Sequence, residues 1–147
     1  NMAYWNQNCY IGIGSGATSS VYRYGAGQNG IRWTNTRDIK HYIDYWLGNA
    51  SEGSVPRDVE ILDQSTQEFE FLMMGLRTMD GLSADEYRKR FTDLAWKGNL
   101  GDRLGTENGP WKRLIEKNMV QIFDSDNRYA LNSEGILFLN QILEEYL

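Results

Sequence analysis

Gly12, Gly14 and Gly16 stand at alternate positions in the run Gly12-Ile13-Gly14-Ser15-Gly16-Ala17-Thr18-Ser19-Ser20. Glycines spaced this way let a backbone come close to a ligand and leave N–H groups for a carboxylate or phosphate. The same spacing also serves tight packing or a bulge with no ligand involved. A dinucleotide-binding fingerprint would need a helix directly after the glycines and an acidic residue about twenty positions on. Here Val21-Tyr22-Arg23-Tyr24 reads as strand, and no Gly-Lys-Ser/Thr follows to make a triphosphate loop.

Other reactive side chains are few. Cys9 is the single cysteine and His41 the single histidine. No intramolecular disulfide, multi-thiolate metal site or Ser/His/Asp triad can be assembled from them. His41 falls off the apolar stripe of its helix and is expected in solvent. Glu68 and Glu70, like Glu144 and Glu145, do not share a helical face and are expected as solvated charge. Met73 and Trp46 continue helical stripes and are expected in the core. Arg77 sits where a helix dipole favours a cation. Tyr4-Trp5 stands apart, next to the glycine run.

The elements that would carry these residues fit one ordinary domain, or one domain with a short addition. The chain has 147 residues, 41% of them hydrophobic, and a net charge of -5. That balance excludes a disordered chain and disfavours nucleic acid, whose affinity rests on clustered Lys and Arg. No apolar run approaches the roughly twenty residues that cross a bilayer. One cysteine and no signal-peptide pattern point to the cytoplasm. The opening Asn1-Met2-Ala3-Tyr4-Trp5 is apolar and aromatic where termini are usually polar, so an upstream segment is expected.

Residues 9–14 read as a short buried strand, and 20–24 with 31–34 as a hairpin turning at Asn29-Gly30. A helix is expected over 37–47, capped by Thr36, with Ile39, Tyr42, Ile43, Trp46 and Leu47 on one face. Gly48 to Pro56 is the best linker. Val59 to Leu62 suggests a strand, Ser65-Thr66-Gln67-Glu68 a capping box, and Phe69, Leu72, Met73 and Leu76 the buried face of a helix reaching about Met79. Ser83-Ala84-Asp85-Glu86 caps another helix, with Tyr87, Phe91, Leu94 and Ala95 on one side, ending at Gly98-Asn99. The close reads as helix 110–117, strand 119–123, turn 124–127, strand 128–131 and helix 133–146. That order suggests α+β with a winged-helix-like end. Residues 81–147 carry nine basic against eleven acidic residues, and the last helix has three Glu and no Lys or Arg, the wrong sign for reading a DNA groove. A stand-alone protein-interaction module of winged-helix type is therefore one reading of the whole.

A second reading comes from resemblance. Asn1-Met2-Ala3-Tyr4-Trp5 followed by Tyr10-Ile11-Gly12-Ile13-Gly14-Ser15-Gly16-Ala17 resembles the N-x-x-Y-W and Y-L/I-G-I/L-G-x-G-A signature of oxygen-independent coproporphyrinogen III oxidase-like radical-SAM proteins, in particular their heme-chaperone branch. Arg32-Trp33-Thr34-Asn35 is similar to the family's R-x-x-N. Glu68 to Gly81 is similar to its E-x(6)-G-L-R-x-x-x-G, and Tyr129 to Gly135 with Asn140 to its ending. The resemblance implies that residues 1–34 close a radical-SAM barrel module and that 35–147 form a C-terminal helical, winged-helix-like domain. It implies a part that lines or covers an S-adenosylmethionine and tetrapyrrole pocket in heme or porphyrin metabolism, with chaperone favoured over oxidase. Gly14, Gly16, Ala17, Thr18 and Ser19 would lie near the cofactor, and Asn1, Tyr4 and Trp5 would belong to the heme-binding motif. The implied partners are the protein's own N-terminal barrel and a tetrapyrrole or heme. The 4Fe-4S cluster of the parent needs three cysteines in C-x-x-x-C-x-x-C, so this piece is expected to hold no cofactor and run no radical chemistry alone. Thr18 stands where the family often has His in Gly-Ala-His-Ser, and a His normally precedes the residue matching Asn1.

Overall fold

The computed structural model describes residues 2–49, 56–121, 123 and 127–147. Asn1, most of the expected linker and the tip of the expected 124–127 turn lie outside them.

Two small antiparallel sheets and short helices make an α+β fold. A short helix α1 (Met2–Trp5) precedes strands β1 (Thr18–Val21) and β2 (Gly30–Asn35), which are joined by helix α2 (Ile39–Trp46) to β3 (Arg57–Leu62). The sheet order is β1-β2-β3. Helix α3 (Gln64–Gly75) follows, then β4 (Leu82–Ser83), α4 (Ala84–Arg90), α5 (Leu100–Leu104) and α6 (Pro110–Glu116). Strands β5 (Val120–Gln121) and β6 (Arg128–Leu131) and helices α7 (Ser133–Leu137) and α8 (Leu139–Glu144) complete the chain. The second sheet has the order β4-β6-β5.

The first hairpin forms two residues earlier on its first strand than expected. Its connection turns at Gly25 and Gly27, whose φ values are 116° and 69°, while Gly30 lies in β2. Gly30 sits against the Gln67 side chain, 2.8 Å from where a Cβ would stand, so glycine here serves close approach to α3. Residues 9–14 do not form the expected buried strand. Only Tyr10 pairs with Ser20, Cys9 is exposed, and Ile11 and Ile13 are 64% and 90% exposed.

Helix α2 starts at Asp38, whose carboxylate accepts the His41 amide, and no residue of α2 is buried. Its stripe of Ile39, Ile43, Trp46 and Leu47 faces outward, so Trp46 is not a core residue. His41 is exposed, as its place off that stripe suggests.

Helix α3 is the hub. Asp63 caps it by accepting the Thr66 amide, and it ends at Leu76, short of Met79. Its buried residues include Gln67, Glu68, Glu70, Phe71, Leu72 and Met74, so it is enclosed on nearly all sides. Phe71, Leu72 and Leu76 join Tyr87, Phe91, Leu100, Leu104, Trp111, Leu131 and Leu143 in one apolar core. Ser83 caps α4 as expected, but that helix stops at Arg90 and leaves Ala95 exposed. Pro110 opens α6 at a position that needs no amide donor. The last helix is two, broken at Phe138, with Asn132 as cap accepting the Glu134 and Gly135 amides.

Candidate functional site

Tyr4 and Trp5 sit on α1 with ring centroids 5.3 Å apart, edge to face, and Tyr4 also meets Tyr10 at 5.8 Å. Tyr10 in turn pairs with Ser20 of β1, so this aromatic cluster is moored to the edge of the first sheet. Burial raises the Tyr10 phenol above its usual pKa, with the Tyr4 ring adding to the effect. The chain leaves α1 through Gln7, held at φ 56° and fully enclosed. Its amide donates to the Gln67 carbonyl at 2.7 Å and accepts the Tyr24 hydroxyl at 3.0 Å.

Trp5 lines a cavity of about 420 Å³ together with Phe71, Leu82, Glu86, Arg90 and Arg128. Arg90 lies over the Tyr24 and Phe71 rings at 5.2 and 5.3 Å and donates to the Asn6 carbonyl at 3.2 Å. Arg128 donates to the carbonyls of Asp80 and Gly81. Lys89 holds the Glu86 carboxyl below its usual pKa range. The cavity thus sets the Trp5 and Phe71 rings beside side chains of both charges, Asp80 and Glu86 with Arg90 and Arg128.

The glycine run makes a corner tied to β2. Gly12 donates its amide to the Ser19 hydroxyl at 3.0 Å, and a Cβ on Gly12 would strike the Thr18 carbonyl. Gly16 donates to the Thr36 carbonyl at 2.9 Å, and Ala17 to the Gly14 carbonyl at 3.3 Å. Asn35 donates its side-chain amide to the same Gly14 oxygen at 2.9 Å, Ser15 gives its hydroxyl to Thr36, and Thr18 meets Thr34 at 2.9 Å. The amides of Ile13, Gly14 and Ser15 have no partner among the described residues and form the corner's open donors. Gly14 and Gly16, at φ 113° and 72°, supply the left-handed backbone the corner needs.

Of the expected site residues, Tyr4 and Trp5 are brought together, and Gly14 to Ser19 form one corner beyond Tyr10. Trp5's cavity does not include that corner, and Ser19 is fully enclosed. Asn1 lies outside the described residues.

The polar hub of α3 is not evident from its sequence. Glu70 is 8% exposed and takes the Arg32 Nη2 on both oxygens, at 2.7 and 2.6 Å, while Tyr22 donates to it at 3.3 Å. Glu68, 5% exposed, accepts the Tyr87 hydroxyl at 2.6 Å and the Arg103 Nε at 2.7 Å. Neither carboxylate is solvated. Burial and the neighbouring Glu68 push the Tyr87 phenol well above its usual pKa. Burial opposes the Arg32 charge, but hydrogen bonds and attraction from Glu70 outweigh it and raise its pKa. Arg32, Asn35, Glu68 and Gly75, the matches in the resembling motifs, all make contacts within the fold, and Gly75 lets Leu82 lie against α3.

Among the described residues, no group of three or more His, Cys, Asp and Glu side chains could hold a metal ion, and Cys9 is the single thiol. Among the described residues, no helix is long and apolar enough to cross a membrane.

Three curated relatives match the chain. Heme chaperone HemW of Bacillus subtilis is 29% identical over 148 residues, covering 100% of this chain and 34% of the relative. Heme chaperone HemW of Lactococcus lactis is 24% identical over 147 residues, covering 100% and 33%. Heme chaperone HemW of Synechocystis is 28% identical over 149 residues, covering 97% and 34%. The chain therefore spans about a third of the length of the curated relatives it matches. No family model matches it, and no solved structure does. Matches that take in 97 to 100% of this chain but only about a third of each relative do not favour a stand-alone interaction module.

Proposed function

We propose that this HemW-like chain is the C-terminal portion of a heme chaperone, where it lines or covers the S-adenosylmethionine and tetrapyrrole pocket. The observation that carries the reading is the end-to-end similarity to three heme chaperones from different organisms. The geometry supports it with an aromatic cluster, Tyr4, Trp5 and Tyr10, beside a cavity bearing Arg90 and Arg128. A tetrapyrrole has a flat apolar ring, which aromatic side chains complement in kind.

In this reading Asn1, Tyr4 and Trp5 contact the heme, and the corner from Gly14 through Gly16, Ala17 and Thr18 to Ser19 faces the cofactor, led by its open amide donors. The strands of residues 1–34 belong with an N-terminal radical-SAM barrel, and residues 35–147 form the covering domain. The cluster and the radical chemistry it supplies reside in that barrel. Alone, the chain performs no turnover, and the whole works in the cytoplasm.

Heme titration of the longer protein, followed by absorption, tests the proposal alongside a coproporphyrinogen turnover assay. A stable heme complex that weakens several-fold on Trp5→Ala or Tyr4→Ala is the expected result. Turnover without a stable heme complex overturns the chaperone reading.

A further inference from the structure

The sheet β1-β2-β3 has two faces of different character. Arg32 and its cross-strand partner Glu60 point to the face carrying α3, because Arg32 reaches Glu70. Strand alternation then sets Ile31, Trp33, Val59 and Ile61 on the opposite face. The register lines them up: Val21 pairs with Ile31 and Ile31 with Ile61, while Trp33 pairs with Val59. Val59 is 56% exposed and Ile61 60%. A sheet covered on one side normally shows alternation to polar residues on the other. Here the face turned away from α3 is the apolar one, with Val21, Ile31, Trp33, Val59 and Ile61 at its centre and Asn35 and Arg57 at its end.

The patch continues past β1. Ser19, the partner of Trp33, points to this same face and is covered by Gly12, whose amide reaches its hydroxyl. Gly12 is flanked by the exposed Ile11 and Ile13. A contiguous apolar surface of this kind marks an interaction site.

We infer that this face is the seat of the polypeptide that the longer relatives carry beyond the span of this chain. Those relatives match the chain end to end at about three times its length, so the longer protein has ample chain to cover the face. The inference rests on the reading above that the chain is part of such a protein. It identifies the seat as the outer side of the β2 and β3 strands, flanked by Ile11 and Ile13. The occupant is an apolar surface. Arg57, whose guanidinium lies over Trp33 at 5.5 Å, stands at the rim and favours an acidic residue facing it.

Val59→Cys and Ile61→Cys, made singly in the longer protein, test the inference by a brief maleimide pulse on the folded molecule, read site by site by mass spectrometry. Ile115→Cys on α6, where the native side chain is 46% exposed, is the open reference. Positions 59 and 61 are expected to react at least about tenfold more slowly than 115. Equal rates overturn the inference. So does protection that vanishes on dilution, which assigns the face to a second copy, or protection that requires phospholipid vesicles. Hydroxyl-radical footprinting of Trp33 and Ile61 in the unsubstituted protein gives the same reading without a substitution. Labelling needs no heme: a protected face with failed heme binding leaves this inference standing and removes the chaperone reading, and the converse removes only this inference.

Discussion

Arg32 in the middle strand and Glu70 on α3 are joined by one guanidinium nitrogen lying 2.6 to 2.7 Å from both carboxylate oxygens. Their side chains are 22% and 11% exposed, so the pair is largely withdrawn from water, whereas Glu60, the second partner of Arg32, is 57% exposed. Glu70→Ala would leave the largely buried Arg32 only the exposed Glu60 as an ion-pair partner, and Tyr22 without its acceptor. It is expected to cost about 2–4 kcal/mol in urea unfolding. Glu60→Ala should cost under about 1 kcal/mol, because a solvated ion pair contributes little.

Glu68 ties α3 to the opposite side of the fold. Arg103 bridges its carboxylate to the Tyr146 carbonyl and lies over the Trp96 and Tyr146 rings at 5.9 and 5.5 Å. Arg103→Met is expected to destabilise by about 3 kcal/mol, since a buried carboxylate then keeps one donor, Tyr87. Tyr87→Phe, which removes only that donor, should cost about 1–2 kcal/mol. Thermal unfolding orders the two variants, and a Trp96 fluorescence change should accompany only the first.

Stability should decline on the alkaline side. Burial pushes Tyr24 up to about 12 against the pull of Arg90, and burial also raises Tyr87 and Tyr146. The unfolded chain releases these phenolic protons from about pH 10 while the folded chain retains them, so stability present below that pH is lost as pH rises. On the acid side, the Thr66 amide and the Lys89 ammonium hold Asp63 and Glu86 below the usual carboxylate range. Their contribution is present above the unfolded pKa of about 4 and disappears as pH falls through the folded values. Denaturation midpoints measured from pH 3 to 11 should trace both declines, and Tyr24→Phe should shallow the alkaline one.

Gly81 and Gly135 should tolerate no side chain. A Cβ on Gly81 would strike the Tyr129 carbonyl, at a backbone φ of 65°, and one on Gly135 would strike the Met119 carbonyl. Gly81→Ala and Gly135→Ala are each expected to cost about 1–3 kcal/mol through forced backbone shifts. Gly27→Ala, also at positive φ but facing open space, should cost about 1 kcal/mol. Melting temperatures of the three variants check the ranking.

Elements fixed by local chemistry were readable from sequence. Ser83 caps α4, Pro110 opens α6, and β1 pairs with β2, each from signals within a few residues. The polar hub was not readable, because two glutamates on a helix look solvated until their partners are known. Arg32 and Arg103 lie 38 and 35 residues from them in the chain. Periodicity misplaced the environment of α2: a stripe of Ile39, Ile43 and Trp46 shows that a helix has an apolar side, not that the chain supplies something to cover it. The glycine run was legible as a backbone feature, but the press of Gly12 on the Thr18 carbonyl required the folded corner.

Gln67 gives these connections a common timing. Its buried side chain donates to the Leu62 carbonyl and accepts the Arg23 amide, while its own carbonyl receives Gln7. Three stretches of chain, around Gln7, Arg23 and Leu62 to Gln67, therefore close through one residue. None can open alone without exposing a polar group that another has already engaged, so their amide hydrogens should exchange with solvent in a single concerted event, and the aromatic N-terminus should leave the sheet only when α3 does.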